Sequence, residues 1–267
     1  MGRESFQPIS VKSPARSPML FKIRCFIDLQ LLTIVSFLKR EMSNFSDGLI
    51  IDVGAGESPW RSWIPKQCQY RGIDIRHSTE FGMKYRDSNI TLYDGGVMPF
   101  EKDTFNGALC IEVLEHTDNP ELLLSEIFRI LKPGSIMLLT VPWSARRHHI
   151  PYDFHRFTRE RLSVLLSKSG FIDIIISERG NDYCVIANKL IINIIRNCRQ
   201  LNLLNFYYKI PFIAIASLFS IFMLINSHVS LLFENSHNED PLGYSCKAIK
   251  PTDSRAEVKQ RSKPIYK

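Results

Sequence analysis

This sequence does without cysteine chemistry. Its six cysteines (Cys25, Cys68, Cys110, Cys184, Cys198, Cys246) are scattered, with no Cys-x-x-Cys pair and no Cys/His spacing suited to zinc. That excludes a zinc ribbon and a disulfide framework, and it fits reduced thiols in a cytoplasmic protein. A signal peptide is not expected either, because the apolar stretch 29–38 runs into Lys39-Arg40-Glu41 with no small-residue cleavage site. Charge excess is missing from the body of the chain. The formal net charge is +7, but seven Lys/Arg against Asp253 and Glu257 fall between positions 247 and 267. The body is then close to neutral, which argues against a nucleic-acid-binding face and leaves RNA as an alternative substrate.

A third glycine is also missing where it would matter. The run Leu49-Ile50-Ile51-Asp52-Val53-Gly54-Ala55-Gly56-Glu57 has the form of a buried parallel strand that closes on a turn with room for a ligand. A dinucleotide fingerprint needs glycine three residues after the second one, and that position is Pro59. Glu57 also places negative charge where a pyrophosphate would lie. NAD and FAD are therefore disfavoured, and a cationic ligand suits the acidic turn.

Further apolar runs at 70–75, 89–93, 105–111, 136–141 and 171–176 predict strands. Between them, Asn119-Pro120 opens a helix that stops at Lys132-Pro133-Gly134, and Thr158 caps another that runs to Gly170. A single amphipathic helix is predicted over 19–41. The alternation predicts an α/β fold, a doubly wound Rossmann-like parallel sheet. Residues 1–17 are expected to be a flexible leader, 18–180 the core, 181–236 a hydrophobic helical insertion, 237–250 the last strand and 251–267 a basic flexible tail.

From 49 to about 176 the chain resembles the class I S-adenosylmethionine-dependent methyltransferases. The resemblance rests on Asp52 and Gly54-Ala55-Gly56, on the run 105–116 (Phe-Asn-Gly-Ala-Leu-Cys-Ile-Glu-Val-Leu-Glu-His), and on 126–134 (Glu-Ile-Phe-Arg-Ile-Leu-Lys-Pro-Gly). It implies a seven-stranded sheet with an antiparallel last strand, for which 242–250 is the candidate, and S-adenosylmethionine as cofactor. It implies that Gly54, Ala55 and Gly56 underlie the methionine part, with Asp52 near the ammonium. Asp74 and Ile75 fall at the ribose, Asp94 and Gly95 at the adenine edge, and Glu112 and Val113 beside the substrate. Ser135, in place of a second glycine after Lys132-Pro133-Gly134, and Glu57-Ser58-Pro59 depart from the family pattern. The run 151–158 (Pro-Tyr-Asp-Phe-His-Arg-Phe-Thr) resembles a subset of these enzymes in bacterial surface-polysaccharide pathways.

Methyl transfer from a sulfonium depends mainly on near-attack geometry, with a base needed only where the acceptor must lose a proton. Candidate groups follow strand five, at the carboxyl edge of the sheet. His149 and His155 are the candidate bases, with Tyr152 and Asp153 beside them, while Trp143, Arg146, Arg147 and Arg156 are candidates for holding the acceptor. No metal is expected, since His148-His149 lack a cysteine or a third close carboxylate. The acceptor is expected to be a small molecule or a glycan, in some cases lipid-linked, and methylated on oxygen. A catalytically inactive scaffold at the membrane is the rival from another class.

Residues 210–233 contain no formal charge, and 17 of these 24 are apolar. About 20 apolar residues suffice to cross a bilayer. A simple crossing would strand 242–250 on the far side, so a re-entrant or interfacial hairpin at the cytoplasmic face of the membrane is expected. A buried lid over an apolar substrate and a true span are the alternatives.

Overall fold

Seven apolar runs become seven strands of one sheet in the computed structural model, which describes residues 11, 13–81, 89–202, 206–233 and 239–252. The strands are β1 (Gly48–Val53), β2 (Cys68–Ile75), β3 (Ile90–Tyr93), β4 (Phe105–Ile111), β5 (Leu131–Pro142), β6 (Ile172–Arg179) and β7 (Gly243–Ile249). Their order is β3-β2-β1-β4-β5-β7-β6. All neighbours are parallel except β7, which inserts antiparallel between β5 and β6, with Cys246 opposite Leu139 on one side and Ile176 on the other. The doubly wound α/β sheet expected from the sequence is present, and its last strand lies beside β5.

Helices α1 (Pro18–Ile27), α2 (Leu29–Glu41), α3 (Pro120–Ile130), α4 (Arg159–Lys168), α5 (Asp182–Arg199) and α6 (Phe206–Ser230) complete the chain. The caps read from sequence form as hydrogen bonds: Leu122 N–H donates to Asn119 Oδ1 at 2.9 Å, and Arg161 N–H donates to Thr158 Oγ1 at 3.1 Å. One face of the sheet is closed by Leu123, Leu124 and Ile127 of α3 with Leu162 and Leu165 of α4. On the other face, Leu31, Ile34 and Leu38 of α2 pack on Ile50, Leu109 and Leu138.

Three elements differ from their expected bounds, and the β1–β2 crossover carries no α-helix; the first is β5, expected over 136–141, which begins at Leu131 directly after α3. The single helix over 19–41 is two helices, because Asp28 leaves helical geometry (φ −94°, ψ 90°) and its Oδ1 accepts from Leu31 N–H at 3.1 Å as the cap of α2. Between β1 and β2 the crossover is a single 3-10 turn, Arg61–Trp63, since Pro59 and the left-handed Ser58 (φ 54°) divert the chain before a helix can start. The sixth strand runs three residues past 176, to Arg179. Most of the leader (residues 1–10 and 12) and the tail beyond Thr252 lie outside the described residues.

The insertion is an antiparallel pair, α5 and α6, joined at its base by Asn181 Nδ2–H donating to Ser230 Oγ at 2.9 Å. Helix α6 is inverted relative to a soluble surface helix. Its buried positions are Ser220, Met223 and Ser227, whereas Phe212, Ile215, Leu218, Phe219 and Phe222 are exposed. Residues Phe206–Phe233 form the one segment among the described residues that is long and apolar enough to cross a membrane.

Candidate functional site

The turn after β1 is shaped by what its glycines leave out. Gly54 and Gly56 both have left-handed backbone (φ +70° and +52°), and a Cβ on Gly54 would fall 2.3 Å from Val113 Cγ2. The amides of Gly54 and Ala55 donate to Ile73 O at 2.8 and 3.2 Å, so the turn curls over the end of β2. There the buried Asp74 accepts from Gly56 N–H at 2.8 Å through Oδ2 and from Ile75 N–H at 2.7 Å through Oδ1. Each oxygen has acceptor capacity for more than one donor, which is what a pair of ribose hydroxyls requires. One strand further, Asp94 stands exposed and paired with Arg76 at 2.9 Å, and Gly95 (φ +86°) leaves open the space beside Ile75.

Asp52, expected near an ammonium group, stands at the end of β1 just before the turn. It is fully buried and does not line the cavity described below; Tyr70 Oη donates to its Oδ2 at 3.1 Å and stands 2.8 Å from Ser58 Oγ. Burial pushes its carboxyl up to about 7, the Tyr70 hydrogen bond pulls it down, and the Asp74 charge pushes it further up. Its folded pKa therefore exceeds the unfolded value of about 3.9, so stability falls as pH rises from that value through about 7. Asp52→Asn is expected to melt above the unsubstituted chain at pH 8, with the gap narrowing at pH 5. A gap independent of pH in calorimetric scans would contradict this.

A cavity of about 660 Å³ opens beside the turn, within the usual size of small-molecule sites. Gly54, Gly56, Glu57 and Glu112 form its sheet-side end. Its far wall is apolar and comes from helices that the sequence did not connect with the site: Leu20, Ile23 and Ile27 of α1, and Ile191, Ile192 and Ile195 of α5. Glu112 sits just past β4 in left-handed geometry (φ +55°). It is held there by Arg179, whose buried guanidinium donates to Glu112 Oε1 at 2.7 Å. The same guanidinium donates to Val141 O, Tyr244 O and Thr33 Oγ1, tying β5, β7 and α2 to the cavity wall. Arg179 was missed from sequence; the available signal was an arginine at the end of an apolar strand, directly before Gly180.

The loop after β5 is internally bolted. Asp153, buried, takes both Arg156 nitrogens (2.6 and 2.9 Å) and His148 N–H (2.9 Å), and these partners hold its carboxyl below the usual range despite burial. Arg156 also donates to the carbonyls of Arg146 and His155, so its guanidinium is occupied within the loop instead of facing an acceptor. His155 does not line the cavity; its buried Nε2 has no hydrogen-bond partner among the described residues, and its ring packs on Phe157. Tyr152 acts through its carbonyl, which takes His116 Nδ1–H at 2.8 Å. Trp143 packs edge-on against Tyr244, Arg147 is exposed, and Arg146 lines the cavity.

Of the candidate bases, His149 is the one on the cavity wall, with His116 and His148 beside it at ring separations of 5.2 and 5.3 Å. Burial and the neighbouring imidazoles lower both His116 and His149 to about 4, so both rings are neutral near pH 7. Behind them Glu115 is fully buried, and desolvation with the nearby Glu112 charge raises its carboxyl well above the usual range.

These features fit an adenosyl sulfonium ligand. A turn of two left-handed glycines that line the cavity, a two-oxygen acceptor at the end of β2 and the acidic Glu57 match its amino-acid, ribose and cationic parts. A family model described as a methyltransferase domain matches residues 27–174, more than half of the chain. A tRNA (carboxymethyluridine(34)-5-O)-methyltransferase of Arabidopsis thaliana is 29% identical over 105 residues, 38% of this chain and 26% of that protein. A 24-methylenesterol C-methyltransferase 3, also of Arabidopsis thaliana, is 49% identical over 102 residues, 33% of this chain and 28% of that protein. The chain thus spans about a quarter of the length of these curated relatives. A solved structure of a SAM-dependent methyltransferase from Archaeoglobus fulgidus superposes with a TM-score of 0.51 at 17% identity, covering 88% of this chain and 100% of that one, a likeness of fold.

Proposed function

This chain belongs to the class I S-adenosylmethionine-dependent methyltransferases, and from that premise we propose that it methylates a small apolar or lipid-attached acceptor at the cytoplasmic face of a membrane, on oxygen. The observation that carries this reading is the cavity, which runs from the glycine turn to the isoleucine-lined wall of α1 and α5, and α5 is the helix that pairs with the apolar α6. A relative with a sterol methyltransferase name is consistent with an acceptor of this kind; one named for tRNA is less so, given the nearly neutral body.

When bound, S-adenosylmethionine supplies an electrophilic methyl group. The protein's part is to orient and to exclude water. Gly54 and Gly56 admit the ligand, Asp74 receives the ribose hydroxyls, and Glu112, fixed by Arg179, borders the acceptor. The leucine and isoleucine wall excludes water, and neutral His149 is the group placed to take a proton from the nucleophile. A comparison of organic extracts from cells with and without the protein tests the acceptor class. The expected result is an organic-phase species heavier by one methylene; changes confined to aqueous metabolites or to RNA would overturn it.

The membrane contact follows from the inverted α6. A helix of 25 residues is about 37 Å long, enough for a bilayer core of about 30 Å, but β7 after it is paired in the sheet with β5 and β6. Both ends of the α5–α6 pair therefore return to one side, as in an interfacial or re-entrant hairpin. Small residues toward α5 and large apolar ones outward suit lipid contact. The full chain should float with vesicles, stay bound in high salt that screens charges beyond a few ångströms, and leave in mild detergent. Phe219→Glu with Phe222→Glu should abolish flotation while the core still melts cooperatively; release by salt alone would refute the contact.

A further inference from the structure

Sequence gave no third ligand for His148-His149, but the fold supplies one. His116, on the turn after β4, is 32 positions upstream, and ring nitrogens of His116, His148 and His149 lie within 4.8 Å of one another. We propose that these three histidines bind a divalent transition-metal ion, zinc being the best fit, with an open position toward the cavity.

Two independent observations support this beyond proximity. First, Nδ1 of His116 faces Tyr152 O at 2.8 Å and Nδ1 of His148 faces Arg146 O at 3.1 Å. A carbonyl only accepts, so at both rings Nδ1 is the donor and Nε2 is the nitrogen left to face a metal. Carbonyls that orient ring N–H groups in this way are the common outer shell of histidine-ligated metals. Second, Glu115 is fully buried, neither of its carboxyl oxygens has a hydrogen-bond partner among the described residues, and Oε1 lies 3.6 Å from His116 Nε2. A buried carboxyl without hydrogen-bond partners beside three imidazoles is what a cation at their centre would satisfy, through a water bound to it.

Zinc binds nitrogen at about 2.0 to 2.1 Å in tetrahedral sites, which sets the nitrogens roughly 3.4 Å apart. The nitrogens lie within 4.8 Å of one another, so binding would draw the three rings inward. Three protein nitrogens with an open fourth position is the arrangement of sites that take water or a substrate oxygen. Here His149 lines the cavity, so that position opens toward the acceptor. An acceptor hydroxyl bound there would lose its proton more readily, and His149 would then serve as ligand and not as base.

The test uses the full chain in detergent with cobalt(II) and zinc alone and no methyl donor, so its outcome is separate from whether methyl transfer occurs. The expected result is one tightly held ion per chain after desalting, with a visible cobalt spectrum of nitrogen ligation and no near-ultraviolet thiolate band. His148→Ala and His149→Ala should each weaken zinc binding by more than about 100-fold, beyond the roughly 10- to 100-fold cost of an outer-shell change. His77→Ala, at an exposed histidine remote in the sequence, should leave binding unchanged. If the variants fail to fold, protection of the unsubstituted chain's histidines from carbethoxylation by zinc gives the same answer. No stoichiometric metal, a thiolate spectrum, unchanged affinity in both variants, or no protection by zinc would overturn the proposal.

Discussion

Asp74→Ala is expected to weaken binding of S-adenosylmethionine and of its demethylated product by on the order of 1.5 to 3 kcal/mol, roughly 10- to 150-fold, as lost charge-assisted hydrogen bonds typically cost. The structure adds a second contribution to the one foreseen from the ribose. Asp74 Oδ2 also accepts the Gly56 amide at 2.8 Å, so alanine releases the turn that forms the floor of the site. Asp74→Asn keeps one oxygen for that amide and should fall between the two. Calorimetric titration of both ligands reads the effect. Equal affinity for the alanine variant and the unsubstituted chain would remove Asp74 from the site.

Arg179→Met is expected to have the largest effect on stability, about 3 to 5 kcal/mol, because breaking a buried ion pair from one side leaves the other partners uncompensated. Arg179 is 3% exposed, and its loss would leave Glu112 Oε1, Val141 O, Tyr244 O and Thr33 Oγ1 without the donor they share. Arg179→Lys keeps the charge but not the planar fork, and should recover only part of the loss. Gly243 belongs to the same arrangement: a Cβ there would stand 2.4 Å from an Arg179 nitrogen. Urea unfolding monitored by circular dichroism measures the cost. A midpoint for Arg179→Met indistinguishable from the unsubstituted chain would show that the guanidinium does not hold the wall.

The sheet was legible because its signals are local. The apolar runs at β1, β2 and β4, the Gly54–Gly56 turn, and the caps Asn119 and Thr158 each depend on neighbours within a few residues, and each forms where it was expected. Residues 242–250 were placed beside β5 by family resemblance, and they pair there. What was not legible depends on contacts across the chain. Asp28 breaks the first helix by capping the second, a role that its single charge in an apolar stretch did not announce. Asp153 and Arg156 looked like free functional groups in a polar loop, but their charges are spent on each other. The approach of His116 to His148-His149 follows from the neighbouring positions of β4 and β5 in the sheet. The isoleucines of α5 read as part of a membrane insertion, and they are also a wall of the cavity.

The most direct test of the account is transfer of a labelled methyl group from S-adenosylmethionine in the presence of vesicles carrying lipid extracts of the source cells. The account predicts label in the organic phase with the full chain, and none above background with Asp74→Ala. Label that appears only in water-soluble material, or equally with both proteins, would contradict it.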